Sequence, residues 1–196
     1  MHYLVHGVDE EAVDERLDAS SDQHQAYMDA QAGRLVARGP TLSADATTHT
    51  GSVHVVQAET LEDARRFAFE EPYWLAGVYA SVAVTRLLSA RGGTMWDRPR
   101  PHAGSLSSLV LVRWPAQPLA PTSGADREAL ARLAGIDPLV FGGLLTSDDA
   151  TRSVGLVAAV DADLGPAASM VAGLGLPGPT TSVTVLRWRR GGRDQT

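Results

Sequence analysis

Residues 89–105 read Ser-Ala-Arg-Gly-Gly-Thr-Met-Trp-Asp-Arg-Pro-Arg-Pro-His-Ala-Gly-Ser. Gly, Pro and Arg dominate and no apolar period runs through them, as expected of a linker. Cutting there leaves modules over 1–90 and 105–190, a linker over 91–104 and a polar tail over 191–196 that reads as solvated and frayed. The same order of elements then appears twice. In the first half the pattern predicts strands over 3–8, 34–42, 51–58 and 78–87, with helices over 21–32 and 61–69. In the second it predicts strands over 108–114, 139–145, 153–160 and 182–188, with helices over 126–134 and 165–174. Each half is β-α-β-β-α-β, the ferredoxin-like order. Ser20 with Gln23 resembles a capping box and Gly33 a helix stop; Thr60 and Asp126 stand as further N-caps and Gly135 as a second stop. Such a sheet carries helices on one face only, so its other face must be covered. The predicted class is α+β: tandem ferredoxin-like modules with antiparallel sheets packed face to face, an intrachain pseudo-dimer. Two chains meeting through their first halves in a homodimer is the other solution, and both contacts can coexist.

Composition narrows the function. Of 196 residues, 44% are apolar and 20% charged, within the globular range. No apolar run is long enough to span a bilayer. The start, Met1-His2-Tyr3-Leu4-Val5-His6, lacks a basic region and is soon followed by Asp9, Glu10 and Glu11, so it does not read as a secretory signal and points to the cytoplasm. The net charge of −6 argues against nucleic acid as partner. The chain has no Cys, which removes disulfides, thiolate metal sites and Cys nucleophiles. All 17 basic residues are Arg; without Lys there is no Schiff-base chemistry and no Walker-type phosphate lysine.

The most specific residues lie in the first half. His24 falls inside the first predicted helix, with Tyr27, Met28 and Gln31 on the same face at i+3, i+4 and i+7. Gly33-Arg34-Leu35 and Arg38-Gly39-Pro40 follow, and after the second helix comes Glu71-Pro72-Tyr73-Trp74-Leu75-Ala76-Gly77-Val78-Tyr79. In order and spacing these segments resemble the YCII-related family of the dimeric α/β barrel superfamily, over roughly residues 1–95. The resemblance implies a ferredoxin-like fold, dimerisation through the sheets and a cleft holding a His–Asp pair; its better-understood members resemble lyases that eliminate HCl from chlorinated hydroxyquinols. Carried onto this sequence, His24 is the acid–base residue and Glu71 its partner, one methylene longer than the family's usual Asp. For that pair to form, the backbone or His24 must shift to accommodate the extra methylene. Imidazole titrates near neutrality, and a carboxylate on its far nitrogen fixes the tautomer and stabilises the imidazolium, help worth about 10²–10⁴-fold. Taken alone, a helix-borne His is a core or capping residue, and Glu71 a solvated acid at a helix end.

His6, Tyr27, His54, Tyr73 and Tyr79 are the candidate substrate-binding residues, the tyrosines as an aromatic wall for a flat ligand. Their plain alternative is core packing. His6, His54 and Glu71 can be imagined around a metal, but no H-x-H or H-E-x-x-H spacing supports it, and neither metal nor organic cofactor is expected. His6 and His54 are instead expected on the open face of the sheet. Gly173-Leu174-Gly175-Leu176-Pro177-Gly178 matches the dinucleotide fingerprint in letters only, because a helix precedes it and a strand follows. The second half lacks the chemistry: Asp126 stands where His24 would, and Leu176-Pro177 where Glu71-Pro72 would. One site per chain is expected, with the second half as wall, lid or structural partner. The expected function is a cofactor-independent lyase, cyclase or isomerase acting on an oxygenated cyclic or aromatic small molecule, in specialised metabolism or aromatic degradation. The alternatives are a cofactor-free monooxygenase and a non-catalytic small-molecule-binding protein.

Overall fold

The computed structural model describes residues 1–99, 106–118, 124–176 and 180–192. The first module runs β1 (His2–Asp9), α1 (Asp14–Ala30), β2 (Leu35–Leu42), β3 (His49–Gln57), α2 (Leu61–Phe69), α3 (Pro72–Leu75) and β4 (Tyr79–Ser89). The second runs β5 (Ser107–Pro118), α4 (Gly124–Ala134), β6 (Leu139–Thr146), β7 (Arg152–Val160), α5 (Leu164–Ala172) and β8 (Ser182–Trp188). The fold is α+β, with two ferredoxin-like modules in tandem. All strand pairs are antiparallel, and the order β1-β3-β2-β8-β5-β7-β6-β4 closes on itself. The sheets face each other across a shared interior as the pattern predicts, and their edges also join. β2 meets β8 at Thr41 and Leu42, opposite Trp188 and Arg187, while β4 meets β6 over Arg86–Ser89. Closure pairs the two modules only at these ends: among the described residues β4 over Tyr79–Thr85 and β8 over Ser182–Leu186 have a partner strand on one side only.

Strand alternation sorts the side chains into three layers. Inside the barrel, Leu4, Ala37, Val53 and Val55 meet Leu109, Leu111, Phe141 and Trp188. Outside the first module, Tyr3, Val5 and Val56 pack beneath Met28 of α1 and Phe67 of α2. Outside the second, Val110, Val112 and Leu156 lie under Leu133 of α4 and Val171 of α5. Each fully buried side chain of this size contributes about 1.5–3 kcal/mol.

Several local expectations need correction. Helix α1 starts at Asp14, not at 21, and Ser20 lies within it, donating its hydroxyl to the Arg16 carbonyl at 2.5 Å instead of capping. The helix closes at Gln31, whose N–H reaches the Tyr27 and Met28 carbonyls, and Gly33 falls in the single 3₁₀ turn that follows. Asp126 sits inside the first turn of α4, not ahead of it. Thr60 does cap α2, accepting from the Asp63 N–H at 3.1 Å. The start of the linker is packed: Met95 is buried, and Arg91 donates to the carbonyls of Ala134, Ile136 and Leu139. Residues 100–104 of the linker, and residue 105 after it, lie outside the described residues. The polar segment after β8 is not free in solvent. It runs on along β2, with the Arg189 and Gly191 N–H groups donating to the Pro40 and Arg38 carbonyls at 3.1 and 2.8 Å. Of the expected tail, 193–196 lie outside the described residues.

Candidate functional site

α1 presents Ser20, His24 and Met28 to the sheet at four-residue intervals, which places the His24 ring over the outer face of β2 and β3. After α2 the chain turns through Glu71, where Pro72 starts a short helix. Glu71 is the N-cap of that turn: its Oε2 accepts from the Trp74 N–H at 3.2 Å. Its Oε1 is hydrogen-bonded to Nδ1 of His24, and the two residues are only 2% and 8% exposed. The longer Glu side chain thus makes the contact from a capping position, with one oxygen fixed by backbone and the other by imidazole. The Tyr73 ring stacks on His24 with centroids 4.0 Å apart and planes 4° from parallel.

Beside His24 lies a cavity of about 450 Å³. The first module lines it with His24, Arg38, His49, Ser52, His54 and Tyr73, and the segment after β8 supplies a wall through 189–192. Strand register explains the floor. Arg38 on β2 pairs with His54 on β3, and Pro40 with Ser52, so these side chains share the helix-side face while Ala37, Val53 and Val55 point into the barrel. His54 is buried, and that burial, with His24 and Arg38 nearby, holds its imidazole well below the usual histidine range. It is therefore a neutral donor–acceptor. Tyr73 is shifted upward, chiefly by burial, and keeps its proton at neutral pH.

Of the sequence-derived candidates, His24, His54 and Tyr73 meet at the cavity, with Glu71 immediately behind His24. Three do not reach it. His6 lies on the opposite face of the sheet: it pairs with Val53, on the barrel-interior side, and its pKa is lowered by burial and by Arg113 of the second module. Consequently His6 and His54 cannot share a metal, and His54 is not on the open face of its sheet. Among the described residues no three His, Asp or Glu side chains gather as metal ligands would. Tyr27 donates its hydroxyl to the Phe67 carbonyl at 3.0 Å and packs against that ring; burial is the main cause of its pKa being pushed up to about 12. Tyr79 lies behind Tyr73, edge-on at 6.0 Å, its hydroxyl bonded to Ser52 and its pKa raised well above the ordinary value, mainly by burial.

The sequence reading missed a second imidazole–carboxylate pair. His49 lines the cavity, and its Nδ1 meets Asp9 Oδ2 at 2.6 Å across the β1–β3 ends. Arg38 and the 189–192 wall were also missed. Only the Arg38-Gly39-Pro40 motif marked that region, and nothing local says that β8 joins β2. Chemically, the arrangement offers two carboxylate-braced imidazoles, a neutral imidazole and a guanidinium around one small-molecule-sized space.

The YCII-related domain family matches residues 1–88. This amino-terminal module is a YCII-related domain. No curated protein matches the chain. Among solved structures, a chlorite dismutase variant from Candidatus Nitrospira defluvii, bound to cyanide, aligns over 96% of this chain and 90% of its own, with TM-score 0.58 and 9% identity. A protein from Lactobacillus acidophilus NCFM, provisionally assigned as a monooxygenase, covers 96% and 92% with TM-score 0.55, also at 9% identity. These two likenesses are of fold: both span the whole tandem barrel. The 5-chloro-2-hydroxyhydroquinone dehydrochlorinase of Burkholderia phenoliruptrix AC1100, solved with 2,5-dihydroxybenzoquinone, is 26% identical over 45% of this chain and 94% of its own, with TM-score 0.43. No described helix is long and apolar enough to cross a membrane.

Proposed function

We propose that this protein is an acid–base enzyme acting on an oxygenated cyclic or aromatic small molecule, by elimination, cyclisation or isomerisation. The buried hydrogen bond between His24 and Glu71 at the edge of the cavity carries this reading. With Nδ1 engaged by the carboxylate, Nε2 is the nitrogen left for a ligand, and His24 is the catalytic base. It takes a proton from a carbon next to a carbonyl; the C–H bonding pair becomes a C=C bond as the carbonyl π pair moves onto oxygen, giving an enolate; Glu71 stabilises the imidazolium. Return of the enolate electrons then expels a leaving group with its bonding pair or rebuilds the double bond elsewhere. The proton on His24 goes to the departing group or to the new carbon. None of these steps calls for a redox cofactor. The YCII-related identity of the first module supports the assignment of roles to His24 and Glu71, and the second module serves as wall and structural partner. A cytoplasmic setting and a homodimeric assembly belong to the same proposal.

The test is proton exchange at carbon. A panel of enolisable cyclic ketones and hydroxyquinols is incubated with the protein in D₂O and followed by NMR. The protein should catalyse deuterium incorporation or product formation for part of the panel, with the rate falling by about 10²–10⁴ in His24→Ala. Equal rates with wild type and His24→Ala would overturn the reading. Oxygen-dependent product formation would favour the monooxygenase alternative, and binding without exchange the non-catalytic one.

A further inference from the structure

Arg38 is a buried cation with too few partners. It stands in the middle of β2, and the residue is 6% exposed. Its Nη2 reaches Asp29 Oδ1 only at 3.4 Å, and that carboxylate side chain is 43% exposed. Nε and Nη1 are buried and reach no acceptor among the described residues. Arginine does not neutralise itself by losing a proton, and burying its charge without matched hydrogen bonds is strongly unfavourable. The fold nevertheless holds it there. The backbone of the segment after β8 closes over the guanidinium, and a side-chain carbon added at Gly192 would sit 3.1 Å from Nε.

The surroundings add to this. Arg38, Arg189 and Arg190 all line the cavity, and among the described residues no carboxylate does, although the protein as a whole carries net charge −6. Arg190 is already matched, by Asp161 and the carbonyls of Met95 and Arg98, with only its Nε left without an acceptor among the described residues. Arg38 is not. Beside it on β3 is His54, whose ring centre lies 6.2 Å from that of His24. Cation and proposed base therefore flank a single histidine, a span that one small ring compound bridges.

We infer that the cavity takes an organic acid, a small ring compound whose anionic oxygen, carboxylate or acidic phenol, docks on the Arg38 guanidinium within reach of His24. The inference rests on the acid–base reading of the same site and specifies its substrate class. A charged oxygen beside the Arg38 side chain in the cavity offsets the guanidinium's buried charge, and charge-assisted bonds of this kind discriminate strongly against a neutral isostere. The second module then contributes to specificity, because its residues 189–192 line the cavity beside Arg38.

Binding, not turnover, tests this. Titration calorimetry and thermal shift at matched ionic strength compare 2,5-dihydroxybenzoate and benzoate with benzamide and hydroquinone, and 2,4-dinitrophenolate provides the phenolate arm. The wild-type protein should bind at least one acid about tenfold or more tighter than its neutral counterpart. Preference for the benzoates identifies a carboxylate ligand, and preference for the phenolate an acidic phenol. Arg38→Met should lose the preference, while Arg38→Lys keeps part of it. In the absence of ligand Arg38→Met should melt no lower than wild type, whereas a purely structural arginine would lower the melting temperature. The inference is overturned if no acid binds, if acid and neutral forms bind alike, or if the preference survives Arg38→Met. His24→Ala should keep the acid preference. Loss of proton exchange with that preference absent in the wild type would sink this inference alone. Acid preference with exchange indifferent to His24 would sink the acid–base reading, leaving an organic-acid-binding site.

Discussion

Glu71→Gln separates what the carboxylate does for charge from what it does for shape. The substitution keeps length and volume, and the amide oxygen can still accept from the Trp74 N–H that Oε2 accepts from now. The amide nitrogen then faces Nδ1 of His24 and can only donate to it. Nδ1 must become the acceptor, the ring proton moves to Nε2, and the nitrogen that faces the ligand is no longer a base. The lost charge matters as well. Glu71 is 2% exposed, so solvent screens the pair little. Two unit charges about 4 Å apart at an effective dielectric near 20 attract by about 4 kcal/mol. At about 1.4 kcal/mol per factor of ten this is about three orders of magnitude in rate. The D₂O exchange assay should therefore show Glu71→Gln slowed by about 10³-fold, with substrate binding largely kept. Nitrogen NMR of the histidine rings gives an independent readout, since His24 should change from the Nδ1–H to the Nε2–H tautomer. If Glu71→Gln retains both the wild-type tautomer and wild-type exchange, Glu71 does not orient His24 and the proposed mechanism fails.

Three other outcomes follow from the packing. His54 has its folded-state pKa depressed below the ordinary 6.5 by burial first, then by His24 and Arg38. Below that value the unfolded chain binds a proton that the folded one refuses, so stability should fall as pH drops from about 6.5, by at most about 1.4 kcal/mol per pH unit for this group. Melting curves of His54→Gln between pH 7 and 5 should be flatter than wild type; equal slopes would count against the neutral buried imidazole. At Gly39 an added side-chain carbon would fall 1.9 Å from the Arg189 carbonyl, whereas at Gly33 it meets nothing within 4 Å. Gly39→Ala should lower the melting temperature and weaken binding of 2,5-dihydroxybenzoate, and Gly33→Ala should do neither. Trp188 is fully buried and edge-on to Phe141 inside the barrel that both modules share. Trp188→Ala should cost about 3–5 kcal/mol in urea unfolding, and the loss should appear in a single transition of the whole barrel; two separate transitions would show that the modules unfold independently.

The elements themselves were largely written in the sequence. Periodicity and turn residues place α2 at Leu61–Phe69 and β8 at Ser182–Trp188 to the residue. The start of α1 was not legible, because Asp14, Glu15, Arg16 and Asp18 carry no apolar rhythm and Ser20 imitates a cap. The four-residue α3 is too short for any period to show, yet it holds Glu71 in place. His24 and Glu71 are separated by 47 positions and were joined through a family pattern, not through spacing. Arg38 and the wall after β8 stayed hidden for a physical reason. Their meeting depends on the edge pairing of two modules, and an Arg-Gly-rich stretch looks the same whether it is solvated or packed against a neighbouring strand.

The alternation along β2 and β3 gives each neighbouring residue a different duty. Ala37, Val53 and Val55 fill the barrel, and Arg38, Ser52 and His54, one step along, build the cavity floor. Sliding either strand by a single position would drive a guanidinium or an imidazole into the hydrocarbon lumen and turn valines toward the ligand. The polar groups that make the site reactive thus also proofread the assembly of the barrel, since every slip by an odd number of positions must bury them where no partner exists.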